Sequence, residues 1–371
     1  MKLKLNFTAI ILAMLMVFSY VPTNIFAAET ALPELSVSKA AQKAISNSNS
    51  IKNAVDSSSL DDENLRKAYD SLYTAKTNDA ILNAEVSIMN QEMSRALAIE
   101  NIESQKENVE YNIMKYFNSI INAEKNLELF ETLLAIDKKE LEIAKVKLEL
   151  GKLSHADFET AQNTFDKSLK SKQTYQSAID KAYRTLNNYM GAKPETRYTL
   201  ILDLEYKEIG TVNLISHTEK FIQDSLSIKQ AENSLKTAEF RVDNYADSYD
   251  DQTGVIPDPY NAYDQLVVNY NQAYRSLQDT KTNVSENIVT TYDSLKDAEE
   301  SIKTKETDIK VLYKEYEIIK IKFEMGKATK LELDKKLYSI QNQEESLRQA
   351  MNSHTLTKIS FSSPNLLSGG N

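Results

Sequence analysis

Apolar residues recur at alternating steps of three and four through the middle of the chain. Val109, Ile113, Tyr116, Ile120, Ala123, Leu127, Phe130, Leu134, Leu141, Ala144 and Leu148 form one such line, with Asp137 at the skipped position. That spacing predicts the seam of a long coiled-coil helix. A second stripe, including Phe117, Ile121, Leu133 and Ile136, flanks the first, so this helix is expected to pack against more than one neighbour. A return segment carries Phe158, Ala161, Phe165, Tyr175, Ala178, Ala182 and Leu186. Gly and Pro, the strongest helix punctuation, are sparse: after Pro33 neither occurs until Gly151. These breaks predict helices at about 36–57, 61–77, 79–150, 155–190, 212–246, 260–325 and 330–353. Soft boundaries at Ser57–Ser59 and Asn78–Asp79 allow the first three to merge in part. The helix near 79–150 would run about 108 Å at 1.5 Å per residue.

The pattern repeats. An offset of 175 residues lays "NIMKYFNSIINAEKNLELFET" over "NIVTTYDSLKDAEESIKTKET", without a gap from Asn112 to Lys152. Val284, Ile288, Leu295, Ala298, Ile302, Ile309, Leu312, Tyr316, Ile319 and Phe323 preserve the seam, and Lys305 interrupts it where the first copy has Phe130. "VKLELGKLSHADFETAQ" returns as "IKFEMGKATKLELDKKL". Gly151 and Gly326 suit the left-handed conformation that ends a helix. Ser154 and Thr329 can cap the next helix, with Asp157 and Glu332 three residues on. Two such reversals in a duplicated plan place both hairpin tips at one end of the molecule.

Composition narrows the function. Seven Gly, six Pro and no Trp in 371 residues fit long helices, as does a mean hydropathy of -0.47. The absence of Cys excludes disulfides, thiol catalysis and a cysteine-linked lipid. The net charge of -10, with no basic stripe, argues against nucleic acid as a partner. Met1 to Ala27 has the charged start, apolar run and small-residue exit of a secretory leader, with cleavage expected after Ala27 and an uncleaved anchor as the alternative. Removing it takes away Lys2 and Lys4 and moves the charge to about -12.

No catalytic constellation emerges, and a non-enzymatic role without metal or cofactor is expected. His155, His217 and His354 are isolated in sequence. Gly151-Lys152 lacks the spacing of a phosphate loop. The carboxylates lie on polar helix faces, where pairing between residues one turn apart is their usual role. Asp247 to Tyr270 interleaves Asp with Tyr, but the spacing is not that of a calcium loop, and the stretch reads as a solvated connector.

Paired hairpins tipped by G-K-x-[ST] resemble the TolC-like outer-membrane efflux proteins. "LSVSKAAQKAISNSNSIKNA" resembles the opening helix of that family, "AYRTLNNYMGAKP" the end of its first half, and "LISHTEKFIQDSLSIKQAENSLKTAE" the start of its second. The resemblance spans about residues 32–353. It implies a shaft built from two repeats, a homotrimer closing a twelve-helix tube, and docking of a periplasmic-adaptor-type protein that links to an ABC or other inner-membrane transporter. Carried over by position, the partner-binding residues are Gly151, Lys152, Leu153 and Ser154 at the first tip, and Gly326, Lys327, Ala328 and Thr329 at the second. The family also inserts a β-hairpin in each half to form a membrane barrel. Residues 55–108 instead read as helix throughout, and "LVVNY" in the second half is too short for a spanning strand.

The fold expected is therefore all-α: long antiparallel coiled-coil hairpins in two internal repeats, a TolC-like helical shaft without the β-barrel. Its parts are a leader (1–27), a first hairpin repeat (28–194), a linker (195–211), a second repeat (212–353) and a disordered tail (354–371). Two functions stand open: an extracytoplasmic helical component of an efflux or export assembly, or a secreted or surface-attached structural coiled coil that has lost transport. Either implies secretion across the cytoplasmic membrane to the extracytoplasmic cell envelope or surface, in an outer membrane or periplasm only if the source has an outer membrane.

Overall fold

The computed structural model describes residues 32–245 and 262–368. The expected leader and most of the acidic, tyrosine-rich connector lie outside the described residues. The chain opens with β1 (Glu34–Ser36), α1 (Val37–Asn47), α2 (Asn49–Ser59) and α3 (Asp61–Thr74), then enters the long α4 (Asn78–Glu149). It returns through α5 (His155–Met190) and β2 (Thr199–Ile201). The second half runs α6 (Leu214–Asp224), α7 (Leu226–Asp243), the long α8 (Ala262–Glu324), α9 (Lys330–Phe361) and α10 (Pro364–Ser368). Ser36, Ser48, Thr77, Ser154, Asn213 and Thr329 start their helices in the same way, each side chain accepting a backbone N–H of the first turn.

At 72 residues α4 spans about 108 Å. A helix of that length is stabilised by packing along its whole course. Asp62 to Arg95 (2.9 Å) and Tyr69 to Glu92 (3.1 Å) tie α3 to its N-terminal half. Lys229 to Glu100 (2.8 Å) and Thr237 to Asn90 (2.7 Å) tie α7 to the same half. Along the C-terminal half, Lys172–Glu131 and Ser168–Asp137 join α5, and Lys139–Asp334 and Asn352–Asn118 join α9. Asp137, the skipped seam position, thus accepts a hydrogen bond from the Ser168 hydroxyl at 2.6 Å. The 63-residue α8 packs on α7 and α9. The result is four columns in the order α1–α3 with α5, then α4, then α7 with α9, then α8.

The duplication is written in the packing. The first core holds Val109, Ile113, Phe117 and Ile120 of α4 with Tyr183, Leu186 and Met190 of α5 and the alanines of α1. The second holds Val284, Ile288 and Leu295 of α8 with Phe221, Ile228 and Phe361. Val109 and Val284, Ile113 and Ile288, Ile120 and Leu295, and Leu186 and Phe361 are partners at the 175-residue offset. Near the start of each repeat the offset becomes 177, so that Ala44 matches Phe221 and Ile51 matches Ile228. All four side chains are buried.

Several expectations need correction. The helix expected at 36–57 breaks at Ser48, and that expected at 212–246 breaks at Ser225, the equivalent position. Both serines sit in extended backbone and begin a new helix. In α5 the inward position is Ile179, which packs on the first core, whereas Ala178 is exposed. Phe323, at the end of the second seam, is 38% exposed. The tail is not disordered over its described part: α9 continues to Phe361 and α10 follows, with His354, Leu356, Phe361 and Leu366 buried. This stretch is the counterpart of the end of α5, but His354, Thr357 and Lys358 stand where the first copy has Ile179, Ala182 and Tyr183. The apolar rhythm fades in sequence while the packing persists.

The linker also carries structure. β2 pairs in parallel with β1, with Leu35 opposite Leu200. The strands are too short for a period-two pattern to mark them. Among the described residues they are the only strands, and no helix is long and apolar enough to cross a membrane.

Candidate functional site at the hairpin tips

The tips are two copies of one turn. Gly151 has φ +68° and Gly326 has φ +67°. At the first tip Gly151 N–H donates to Leu148 O (2.9 Å) and Lys152 N–H to Lys147 O (2.8 Å). At the second Gly326 N–H donates to Phe323 O (2.9 Å) and Lys327 N–H to Lys322 O (2.7 Å). This pair of bonds is the Schellman ending, and it satisfies carbonyls that a helix terminus leaves open. Nothing lies within 4 Å of where a Cβ would stand at either glycine. Within the chain the need for glycine is therefore conformational, not spatial.

The helices that leave the tips are capped with one difference. Thr329 Oγ1 accepts the Glu332 N–H (3.2 Å), and the Glu332 carboxylate accepts the Thr329 N–H (2.6 Å), a full capping box. These bonds hold the Glu332 carboxyl below its ordinary value. Ser154 Oγ accepts the Asp157 N–H (3.1 Å) and donates to the Asp157 carboxylate (2.7 Å). Aspartate is one methylene shorter than glutamate, and here it bonds the hydroxyl instead of the backbone.

Both tips face one pole. Residue numbers rise along α4 as they fall along α9 in the bonds Asn118–Asn352, Asn126–Gln349 and Lys139–Asp334. The two helices are antiparallel, so the end of α4 and the start of α9 lie together. Lys335 and Glu140 add a second ion pair between the hairpins near this pole. Gly151, Lys152, Ser154, Gly326, Lys327 and Thr329 are exposed, while Leu153 and Ala328, which occupy equivalent positions, are half-buried.

An apolar stripe beside each tip escaped the seam pattern. Ile143, Val146 and Leu150 are 41%, 53% and 63% exposed, and their counterparts Ile318, Ile321 and Met325 are 53%, 54% and 56% exposed. Spacing of three and four puts each triplet on one helix face. Those positions alternate with the buried seam, so the sequence signal for them was the repeat itself. Lysines 145, 147 and 152, matched by 320, 322 and 327, border the stripes.

The histidines are less isolated than their spacing implies. His155 is exposed at the start of α5. His217 stacks on Phe361 (centroids 4.4 Å apart) and meets the Phe361 carbonyl at 3.1 Å. His354 is buried against Glu299 and the ring of Tyr206. Glu299 accepts the backbone N–H of Ile209 and a bond from Lys296, and Lys358 donates to the carbonyls of Lys207 and Glu208. These contacts fasten the linker to the second hairpin.

No protein-family model matches the chain, and no curated relative matches by sequence. Solved structures do match in fold. The outer membrane protein VceC from Vibrio cholerae superposes with a TM-score of 0.66 at 13% identity, over 88% of this chain and 95% of its own. The Campylobacter jejuni outer membrane channel CmeC gives 0.66 at 12% identity, over 95% and 94%. The open state of the Neisseria gonorrhoeae outer membrane channel MtrE gives 0.51 at 10% identity, over 96% of each chain. The resemblance to TolC-like channels therefore holds at the level of fold, over nearly the whole chain.

Proposed function

We propose that this protein is the extracytoplasmic shaft of an efflux or export assembly and that it docks an adaptor protein through its two hairpin tips. The observation that carries the reading is the duplicated apolar stripe, Ile143–Val146–Leu150 and Ile318–Ile321–Met325, at the pole where both chain reversals lie. An apolar helix face left in solvent at two equivalent positions favours burial against a partner. Gly151, Lys152, Leu153 and Ser154, with Gly326, Lys327, Ala328 and Thr329, form the turns between those faces and supply backbone and lysine contacts. The adaptor in turn connects to an ABC or other inner-membrane transporter.

The column order supports a homotrimer. One protomer ends on the α1–α3/α5 column at one edge and on α8 at the other. A head-to-tail contact between unlike edges generates a ring when the rotation closes. Three copies of four columns make a twelve-helix tube. The leader and the shared fold support a location beyond the cytoplasmic membrane.

Photo-crosslinking from Leu153 and Met325 in the source cells tests docking. Capture of a membrane-anchored adaptor from both positions supports the reading. Capture from neither, with efficient crosslinking from a control site on α3, favours the structural coiled coil without transport. Light scattering of the purified chain tests the tube, and a monomer at high concentration removes it.

A further inference from the structure

Ion pairs run along the hairpins and stop short of the tips. Lys172 meets Glu131, Lys139 meets Asp334, Lys335 meets Glu140 and Lys336 meets Glu315. Beyond that level the lysines of the outgoing helices and turns go unanswered. Among the described residues Lys145, Lys147, Lys152, Lys322 and Lys327 have no ion-pair partner, and all five are exposed. Lys320 comes no nearer than 3.9 Å to Glu317. The stretches Lys145–Ser154 and Lys320–Thr329 each hold three lysines against one glutamate, a net of +2, in a chain whose net charge is -10. The first acids of the returning helices are already engaged: Asp157 accepts from the Ser154 hydroxyl and Glu332 from the Thr329 N–H. Both tips are thus positive ends on an otherwise negative chain.

The shape of the apolar surface says what covers it. Ile143 to Leu150 and Ile318 to Met325 each extend about 10 Å along a helix axis. Lys147 stands one turn on from Ile143, and Lys322 one turn on from Ile318, so each stripe has a lysine on its flank. An apolar line edged with charge on the side of a helix suits a second helix laid alongside it. A flat surface meeting the pole end-on would reach Lys152 and Leu153 first, with Ile143 still about two turns away.

We propose that the tips recognise an acidic helical hairpin, whose helices carry apolar residues at steps of three and four with aspartate or glutamate beside them. The apolar side chains cover the two stripes. The carboxylates face Lys147 and Lys322 on the helices and Lys152 and Lys327 in the turns. The two tips are equivalent, so one partner motif fits both. Complementary charge steers such an encounter and fixes its orientation. The inference rests on the reading that the tips dock a protein, and it adds the sign of that protein's charge.

The test places the photo-crosslinking residue at Leu153 or Met325 of the full chain in its source cells, and mass spectrometry sequences the captured segment. Lys147→Glu with Lys322→Glu is expected to cut the yield by about tenfold or more. Lys170→Glu with Lys310→Glu, which changes the net charge equally but away from the tips, leaves it unchanged. Reversing the acids of the captured segment to lysine restores the yield with the Lys147→Glu, Lys322→Glu chain. Circular dichroism of the purified variants checks folding, and Lys147→Gln with Lys322→Gln, expected to give a smaller loss, decides if the reversed pair does not fold. Equal capture by the parent and a folded tip variant, or a captured segment without excess acid, leaves docking in place and overturns the acidic partner. No capture by the parent removes the docking reading and this inference with it. Lysine-dependent flotation of the purified chain with phosphatidylglycerol–phosphatidylcholine vesicles, together with no protein capture, assigns the tips to a lipid surface and overturns the proposal.

Discussion

His354 Nε2 stands 3.4 Å from Glu299 Oε1 inside the second hairpin, and neither ring nitrogen of His354 finds an aligned hydrogen bond. Burial pushes the imidazole pKa below its ordinary 6.5, more strongly than the Glu299 charge raises it, and Lys358 and Lys296 push it further down. Burial would raise the Glu299 carboxyl, but the Ile209 N–H and Lys296 outweigh it and hold the carboxyl below 4.5. Both shifts act in one direction. Below pH 6.5 the unfolded chain takes up a proton at His354 that the folded chain resists, so stability falls. The Glu299 contribution is present above pH 4.5 and is lost as the pH falls further.

The thermal midpoint should therefore drop as the pH is lowered through the histidine range. His354→Ile, which installs the residue found at the equivalent Ile179, should flatten that part of the curve and leave the steeper fall below pH 4.5. A variant with the same slope as the parent between neutral pH and pH 5.5 would show that His354 does not set it.

Matched core positions should cost alike. Ile113 and Ile288 are both fully buried at the same register of their repeats. Truncation of either to Ala removes apolar area and leaves a cavity, at about 2–5 kcal/mol. Val146→Ser, on the exposed stripe, should stay within about 0.5 kcal/mol. Denaturant unfolding measures all three, and an asymmetry of several kcal/mol between the two isoleucines would contradict equivalent cores.

Glycines at the turns separate conformation from space. Gly151→Ala forces a left-handed alanine at about 1–2 kcal/mol, with room for the methyl group. Gly191, with φ +68°, ends α5 where an added Cβ would lie 2.5 Å from Asn47 Oδ1. The Asn47 amide is engaged there with the carbonyls of Asn188 and Tyr189. Gly191→Ala should consequently lower the melting temperature more than Gly151→Ala, and the reverse order would argue against close packing at Asn47.

The ties between hairpins can be weighed at Asp334, which is bridged by Lys139 of α4 (2.9 Å) and Lys330 of its own helix (2.9 Å). A double-mutant cycle between Lys139→Ala and Asp334→Ala should return a coupling of at most about 1 kcal/mol, since Lys139 is half exposed and screened. The coupling should shrink as salt is added. No coupling at low salt would mean that apolar packing alone joins the hairpins at this level.

Much of the architecture was legible in the chain. The seam from Val109 to Leu148, its copy from Val284 onward and the paired glycines define long hairpins, because helix periodicity and left-handed endings are local properties. The breaks at Ser48 and Ser225 were not legible, since serine is tolerated inside a helix and only packing decides that it starts a new one. The helical end of α9 was hidden because His354 is buried and Lys358 is bonded through partners distant in sequence. The apolar stripes beside the tips were visible as letters, but their exposure was not.

The sequence by itself determined helix, reversal and repetition, which depend on residues within a turn or two of one another. Tertiary structure alone decided which faces remain in solvent and that Glu299 meets His354. Those outcomes depend on the register of helices whose meeting residues lie many turns apart in sequence, and that register is fixed by how columns pack rather than by any local pattern.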